Sequence, residues 1–319
     1  MTDSRGKPPK EDPPQEEEAP IDEASCNQEL PWGVARVTGI TMNANTCTVI
    51  DREVANPNYG VNAPAVCVID TGVDIDHPDL NVSSDYFNAI GNESRDDRHG
   101  HGSHVAGTIG ALANNIGVVG VAPSASIVSV KVLNRRGSGS YSGVIAGVDW
   151  LAGANVCAVA NMSLGGPIYT PLDDAIRCAA SSSSDDYTGC PAGSTPSGIT
   201  FILAAGNSGD DALNHSPARI GGTSTNIHTI AAMDVGDVWI YFSNYGSAVD
   251  FIEPGVSIRS TFKNGGYKTY SGTSMAAPHM AGIVLRSIVN NDGSRTVFST
   301  DDTVTGDKDS QPYLIAISD

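Results

Sequence analysis

Three short stretches of the chain each contain a residue type that can take part in nucleophilic catalysis. Asp70 lies within Val-Ile-Asp-Thr-Gly, His101 begins His-Gly-Ser-His-Val-Ala-Gly, and Ser274 lies within Gly-Thr-Ser-Met-Ala. A serine hydroxyl is a poor nucleophile until a base removes its proton, and the base works best when an acid fixes its tautomer. The three stretches therefore predict an acid, a base and a nucleophile, in the order Asp, His, Ser.

Asn207 is a candidate for a fourth role, the stabilisation of negative charge on the reacting carbonyl oxygen. It follows an apolar run, and its side-chain amide can donate to an oxyanion. The backbone N–H of Ser274 offers a second donor, because the first N–H groups of a helix have no partner within it. Taken alone, Asp70 could cap a helix and Asn207 could form a turn. His104 is expected to be structural, because His101 comes first in its motif.

This chemistry requires elements that bring the four residues together. Short apolar runs, each the length of a buried strand, alternate along the chain with stretches of helical periodicity. Such alternation is typical of a parallel sheet with a helix between successive strands. The predicted strands cover residues 65–70, 127–133, 156–162, 199–205, 227–233 and 248–252, and the predicted helices cover 101–113, 141–151, 172–180 and 274–289.

The predicted fold class is therefore α/β, a doubly wound and mostly parallel central sheet with helices on both faces. Asp70 ends a predicted strand, whereas His101 and Ser274 begin predicted helices. Because ligands of such sheets bind beyond the carboxyl ends of the strands, we expect these three residues to meet there.

The composition divides the chain into a short tail and one long domain. Residues 1–25 contain eight acidic residues, three basic residues and five prolines. This composition predicts disorder, because it offers too little apolar surface to bury. The tail could be a linker, a remnant of a pro-segment or a partner-binding arm. Residues 26–319 are long enough for a single large domain.

Charge and hydrophobicity argue against two classes of partner. The formal net charge of −18 argues against nucleic acid, because phosphate binding needs a basic face. No stretch is long and apolar enough for a transmembrane helix, so no membrane partner is predicted. The first 20 residues are charged and proline-rich, which is not the pattern of a signal peptide.

The cysteines indicate disulfides and an oxidising compartment. Their number is even and none forms a Cys-x-x-Cys pair, so a zinc site is not predicted. Cys178 and Cys190 bracket a polar loop, and Cys67 and Cys157 each lie late in an apolar run, so that they could meet across neighbouring strands. A set of buried free thiols is the alternative. The six are Cys26, Cys47, Cys67, Cys157, Cys178 and Cys190.

With these motifs the chain resembles the subtilisin family of serine endopeptidases, from about Gln28 to at least Ser287. The order of acid, base and nucleophile is the order of that family. The resemblance implies a peptide hydrolase that works through an acyl-enzyme on Ser274. In it, Asp70, His101 and Ser274 would form the triad, and Asn207 would line the oxyanion hole. Further matching motifs begin at Pro31, His77, Gly120, Val130, Asn161 and Phe242.

The resemblance also implies an extended substrate lying between two backbone segments. The walls of the primary pocket are small and uncharged, so we expect broad cleavage with a preference for a large apolar or aromatic residue before the scissile bond. Asp210 and Asp211 could lie at the rim and tolerate basic residues, but we expect them to be merely solvated. The implied segments are Ser138, Gly139 and Ser140 on one side and Ser163, Leu164 and Gly165 on the other, with Ala204, Ala205 and Gly206 opposite in the pocket.

A structural calcium ion is a further implication of the resemblance. Calcium takes six to eight oxygen ligands, several of them backbone carbonyls, so its site needs no run of acids. The alternative is an ordinary loop after the helix that begins at His101. A second, weaker site could use Asp250. The implied ligands of the first site are the carbonyls of Leu112, Ile116 and Val118 and the side chains of Gln28, Asp79 and Asn114.

The sequence thus predicts a secreted endopeptidase that acts on proteins or peptides as a monomer, with a pro-domain or a proteinaceous inhibitor as a further candidate partner. Neither a signal peptide nor a pro-region is visible in this chain. One alternative is a non-catalytic binding scaffold of the same fold, which would normally have lost one of the four catalytic residues. Another is an intracellular regulatory protease of the family, which the acidic leader favours and the six cysteines oppose.

Overall fold

The computed structural model describes residues 27–43, 48–50, 64–183, 186–290, 299–304, 306, 308–309 and 312–318. Within these residues the chain forms five α-helices. They are α1 (Trp32–Thr38), α2 (His101–Gly110), α3 (Tyr141–Ala154), α4 (Thr170–Ala180) and α5 (Thr273–Asn290).

The strands alternate with the helices over most of the chain. They are β1 (Gln28–Glu29), β2 (Thr41–Asn43), β3 (Thr48–Ile50), β4 (Val66–Asp70), β5 (Val82–Asn88), β6 (Gly117–Val118), β7 (Ile127–Lys131), β8 (Val159–Met162), β9 (Gly166–Pro167), β10 (Thr200–Ala204), β11 (His215–Ser216), β12 (Ile227–Asp234), β13 (Val238–Trp239), β14 (Phe251–Pro254), β15 (Ile258–Phe262), β16 (Gly266–Tyr270), β17 (Ser299–Thr303) and β18 (Leu314–Ile317).

The central sheet has the strand order β17-β18-β14-β12-β10-β8-β4-β7-β5. From β18 to β5 every neighbouring pair is parallel. The antiparallel pairs of this sheet are β17 with β18 and β13 with β12. Parallel strands need crossover connections, and the helices supply them.

Helices cover both faces of this sheet, so β4 is buried on both sides. Val66 and Val68 pack into the core formed with α1, α2 and α5. Cys67 and Ile69 point the other way, into the core formed with α3 and α4. The predicted doubly wound α/β fold is confirmed, and the continuous apolar run of β4 follows from its burial on both faces.

Several boundaries differ from the predictions. The helix predicted to reach residue 113 ends at Gly110, because the loop that follows turns toward Gln28. The strand predicted at 248–252 lies at Phe251–Pro254. The polar edge strand β5, the β15–β16 hairpin and the C-terminal strands β17 and β18 were not predicted.

Two disulfides join described residues, and both pairings agree with the sequence prediction. Cys67 in β4 bonds to Cys157, just before the neighbouring strand β8. Cys178 in α4 bonds to Cys190 across the polar loop. No free cysteine is present among the described residues, and Cys26 and Cys47 lie outside them. In the same part of the chain, every helix is too short or too polar to cross a lipid bilayer.

Candidate active site

Asp70 lies at the carboxyl end of β4 and is completely buried. Its carboxylate accepts hydrogen bonds from His101 Nδ1, 2.8 Å from Oδ1 and 2.9 Å from Oδ2. The backbone N–H of Thr71 donates to Oδ1 at 2.7 Å. The carboxylate therefore fixes the His101 tautomer with the proton on Nδ1, which leaves Nε2 free to act as a base.

His101 is the first residue of α2, and its side chain is 20% exposed. Burial lowers its pKa, but the charge of Asp70, the hydrogen bond to Asp70 and the charge of Asp97 outweigh burial, so that the pKa is raised overall. A raised pKa makes His101 a stronger base. Such a base is suited to taking a proton from a hydroxyl group.

Asp97 connects the strand of Asp70 to the helix of His101, and the sequence analysis missed it. One carboxylate oxygen accepts from the hydroxyl of Thr71 and from the N–H groups of His99 and Gly100. The other accepts from the N–H and the hydroxyl of Ser103. An aspartate just before a helix start is a signal for capping, and that signal could have identified it.

Close backbone contact completes the junction of β4 and α2. The N–H of Gly102 donates to the hydroxyl of Thr71 at 2.9 Å. A Cβ atom at Gly102 would collide with the carbonyl oxygen of Gly72. Glycine at this position is therefore required for His101 to reach Asp70.

Ser274 lies in the first turn of α5 and is half-buried. Its hydroxyl donates to the carbonyl oxygen of Ser163 at 3.3 Å, and the hydroxyl of Ser163 donates back to the carbonyl oxygen of Ser274 at 2.9 Å. The hydroxyl of Ser274 makes no hydrogen bond to His101 within the part of the chain that the structure describes. Hydrogen bonds between nucleophile and base are often long without substrate and tighten when it binds.

Asn207 is exposed and lines the cleft in which Ser274 lies. The side-chain oxygen accepts from the N–H of Thr273 at 2.8 Å and from its hydroxyl at 3.0 Å. Because Thr273 fixes the oxygen, the exposed nitrogen remains to donate. This geometry fits an oxyanion-stabilising donor beside the first turn of α5.

Two clefts meet along a ridge formed by Ser163, Leu164 and Gly165. The first cleft, about 540 Å³, contains His101 and the predicted segment Ser138, Gly139 and Ser140. The second cleft, about 640 Å³, contains Ser274, Asn207 and the predicted pocket residues Ala204, Ala205 and Gly206.

Of the two acids expected near the pocket, Asp210 lines the second cleft and Asp211 does not. Hydrogen bonds from the N–H of Asp211 and from Asn214 lower the pKa of Asp210, so it is ionised at neutral pH. Asp211 instead caps a short 3₁₀ turn through the N–H of Leu213.

The six predicted calcium ligands come from three separate parts of the chain, Gln28, Asp79 and residues 112–118, which the structure brings together. The side-chain nitrogen of Gln28 donates to the carbonyl oxygens of Leu112 at 2.7 Å, Ile116 at 2.8 Å and Val118 at 3.2 Å, and to the side-chain oxygen of Asn114 at 3.3 Å. A half-turn of the Gln28 amide would put its oxygen among the same groups. Convergent oxygens of this kind match the ligand preference of calcium.

Asp79 completes this group and carries an unsatisfied atom. Its Oδ2 accepts from the N–H of Val118 at 3.0 Å and from the hydroxyl of Tyr267 at 3.2 Å. Its Oδ1 is buried and has no hydrogen-bond partner among the described residues. Burial raises the pKa of Asp79 to about 6, against the opposing effect of these hydrogen bonds. A buried carboxylate oxygen without a partner, beside four other oxygens, fits a cation.

The described residues offer no site for a metal ion held mainly by side chains. The described residues contain no group of three or more His, Cys, Asp or Glu side chains placed to hold a metal ion. At the second predicted calcium position, Asp250 Oδ2 accepts from the N–H groups of Thr229 and Gly222. Burial raises the pKa of Asp250 to about 6.

Comparison with known proteins places this geometry in a family. Residues 62–303 match the Subtilase family, peptidase S8. Subtilisin Savinase of Lederbergia lenta is 39% identical over 258 residues, which are 80% of this chain and 82% of Savinase. Alkaline serine exoprotease A of Vibrio alginolyticus is 41% identical over 278 residues, which are 85% of this chain and 46% of that protein.

The chain therefore belongs to the subtilase family, and the resemblance found in the sequence is confirmed. The crystal structure of a cold adapted subtilisin-like serine proteinase has a TM-score of 0.65 and 38% identity, with 83% of this chain and 86% of that chain covered. The chain spans about 61% of the M-protease of Shouchella clausii (strain KSM-K16), to which it is 38% identical.

Proposed function

We propose that the chain is a serine endopeptidase that hydrolyses peptide bonds in proteins through an acyl-enzyme on Ser274. The observation that carries the proposal is the hydrogen-bonded pair of His101 and Asp70 at 2.8 Å, beside the cleft that Ser274 enters from the first turn of α5. Membership of the subtilase family supports the same reaction.

In this mechanism His101 Nε2 takes the proton of the Ser274 hydroxyl as its oxygen attacks the carbonyl carbon of the scissile bond. Asp70 holds the ring and stabilises the imidazolium that forms. The amide of Asn207 and the backbone N–H of Ser274 donate to the oxyanion. His101 then gives its proton to the leaving amine, and water repeats the sequence on the acyl-enzyme.

The proposed specificity follows from the second cleft. Ala204, Ala205 and Gly206 offer small uncharged walls, so this cleft would accept a large apolar or aromatic side chain before the scissile bond. Asp210 at its edge would tolerate a basic residue. Profiling with a peptide library tests this, and a strict requirement for paired basic residues would contradict it.

Calcium is proposed as a structural cofactor held by the side chains of Gln28, Asp79 and Asn114 and by the carbonyls of the loop between α2 and β6. A bound cation would provide a partner for Asp79 Oδ1, which has no hydrogen-bond donor among the described residues. The ion would stabilise the loop and take no part in the reaction.

An extracellular, monomeric enzyme is the proposed biological form, with a pro-domain or a proteinaceous inhibitor as a further candidate partner. The two disulfides support an oxidising compartment and argue against an intracellular regulatory protease. Residues 26–319 are proposed to form one domain, and the acidic segment predicted at residues 1–25 lies outside the described residues. The presence of all four catalytic residues argues against a non-catalytic scaffold.

Covalent labelling tests the proposed activity directly. We expect a serine-directed sulfonyl fluoride to modify Ser274, as mapped by mass spectrometry, and the modification to be lost in His101→Ala. Ser182→Ala, which changes an exposed serine elsewhere, serves as the control and should label fully. Absence of labelling in folded protein would favour the scaffold alternative.

A further inference from the structure

The first cleft differs in charge from the chain as a whole. The sequence has 36 acidic and 18 basic residues, yet none of the described residues that line this cleft carries a carboxylate. Its ionisable groups include Arg136 and the histidines His99 and His101, whose ring centroids are 6.2 Å apart. A cleft free of acids in so acidic a chain indicates a local preference for negative charge.

Two more basic side chains lie around His99. Arg98 precedes it and is exposed, and Lys263 Nζ donates to the carbonyl oxygen of Arg98 at 3.0 Å. The ring of His99 lies against the turn of Arg136, because a Cβ atom at Gly137 would be 3.3 Å from His99 Nε2. We call Arg98, His99, Arg136 and Lys263 the cationic rim.

Three carboxylates close to the rim in space or in sequence are already engaged. Asp97 accepts five hydrogen bonds, and Asp70 is bonded to His101. Glu93 accepts from the N–H of Arg135 and lies 3.4 Å from Lys131 Nζ.

The guanidinium of Arg136 is therefore available to pair with a negatively charged ligand. It is exposed, lines the cleft and forms no ion pair with any residue that the structure describes. Burial and the charge of His101 lower the pKa of His99, against the opposing charges of Asp97 and Asp70, so His99 is neutral at pH 7. The positive charge of the rim then comes from Arg98, Arg136 and Lys263.

An extended substrate would bring one particular side chain to this rim. If the second cleft takes the side chain just before the scissile bond, the preceding side chain points to the opposite side, because side chains alternate along a strand. That side lies across the ridge of Ser163, Leu164 and Gly165, at the end of the first cleft where His101 lies. The rim borders this end.

We infer that the cationic rim selects substrates with an acidic side chain two residues before the scissile bond. This inference rests on the proposed peptidase function and names a substrate class for it. Exposed ion pairs are weak and are screened by salt, so the preference is about fivefold at low ionic strength and falls toward one at high salt.

Matched fluorogenic peptides test the inference. Two tetrapeptides differ only in Glu or Gln at the second residue before the scissile bond, so that shape is kept and charge is removed. We expect kcat/KM to be about fivefold higher for the Glu peptide at low salt and nearly equal in 1 M NaCl. A ratio of one or less at low salt would overturn the inference.

Variants assign the effect to Arg136. Arg136→Gln should bring the ratio of kcat/KM for the Glu and Gln peptides close to one, and Arg136→Glu should reverse the preference. Arg177→Gln removes one positive charge outside both clefts and should keep the ratio of the parent protein. An unchanged ratio in Arg136→Glu would overturn the role of the rim.

Peptide binding to Ser274→Ala separates this inference from the proposed function. Fluorescence anisotropy should give about fivefold tighter binding of the uncleaved Glu peptide at low salt. If the parent protein cleaves neither peptide but the variant shows this difference, the peptidase proposal fails and the rim stands. Equal binding together with active cleavage would overturn the rim alone.

Discussion

Asp70 and Asp79 are both completely buried, but they differ in how their carboxylate oxygens are hydrogen-bonded. The carboxylate of Asp70 accepts from His101 and from the N–H of Thr71, so the chain itself supplies its partners. Asp79 has one oxygen without a hydrogen-bond partner in the part of the chain that the structure describes, and its pKa is raised to about 6 by burial. The first acid orients His101, whereas the second is a proposed ligand of a calcium ion.

The largest effect is expected for Asp70→Asn. The amide cannot accept the Nδ1 proton of His101 as a carboxylate does, so the ring loses its orientation and its correct tautomer. We expect kcat to fall by about 10⁴, the loss found when the acid of a serine protease triad becomes asparagine. Steady-state hydrolysis of a peptide substrate measures it.

The pH profile of the same variant separates electrostatics from misfolding. The charge of Asp70 and its hydrogen bond raise the pKa of His101 against the opposing effect of burial. His101 must be neutral to act as a base, and Asp70→Asn should lower the pKa of His101. The pH below which the enzyme loses activity should therefore be lower in this variant. Asp76→Asn, at an exposed position nearby, should keep both rate and profile. An unmoved acid limb would contradict the pairing.

Much of this site could be predicted from the sequence because its residues lie at the ends of strongly patterned elements. Asp70 ends a fully buried strand, and the helices that begin near His101 and Ser274 are apolar enough to be predicted from the sequence. Asp97 was missed because its role depends on five hydrogen bonds, three of which come from Thr71 and Ser103, outside the loop of Asp97. A single carboxyl group in a polar loop gives no periodic signal.

The buried strands of the fold could also be predicted from the sequence. The edge strands could not, because they lack an apolar pattern. Strands buried on both faces form apolar runs, so β4, β7, β8, β10 and β12 were located. The edge strand β5 exposes Ser84, Asp85 and Tyr86, so its sequence does not resemble a buried strand. β17 pairs with β18 through backbone hydrogen bonds. Such bonds form whatever the side chains are, so the polar sequence of β17 does not indicate a strand.

A smaller effect, on stability rather than turnover, is expected at Asp79. Calcium bound only to the native state stabilises it by about 2.7 kcal/mol at one hundred times Kd, which raises the melting midpoint by roughly 5–10 °C. Because the folded-state pKa of Asp79 is raised to about 6, its contribution to stability without metal decreases as the pH rises from about 4 through 6. The calcium-dependent shift in midpoint should therefore be larger at pH 8 than at pH 5.

Asp79→Asn sharpens this result. The variant should lose most of the calcium-dependent shift, and in chelator at pH 8 it should melt at the same temperature as the parent or higher, because no unpaired charge is buried. Asp85→Asn, at an exposed carboxyl group in β5, should behave as the parent does. Scanning calorimetry with calcium and with chelator measures both shifts. Equal midpoints of the parent under both conditions would overturn the calcium site.

The smallest effect is expected for Tyr267→Phe, which removes one neutral donor from Asp79 and keeps the ring. In chelator at pH 8 the free energy of unfolding should fall by about 1 kcal/mol, because the ionised carboxylate loses a hydrogen bond. With saturating calcium the loss should shrink, because the cation then compensates the carboxylate. Tyr241→Phe changes a tyrosine that is 77% exposed and should alter neither value. An equal loss under both conditions would mean that the Tyr267 hydroxyl contributes independently of the Asp79 charge, and Asp79 would then resemble Asp70 in needing no ion.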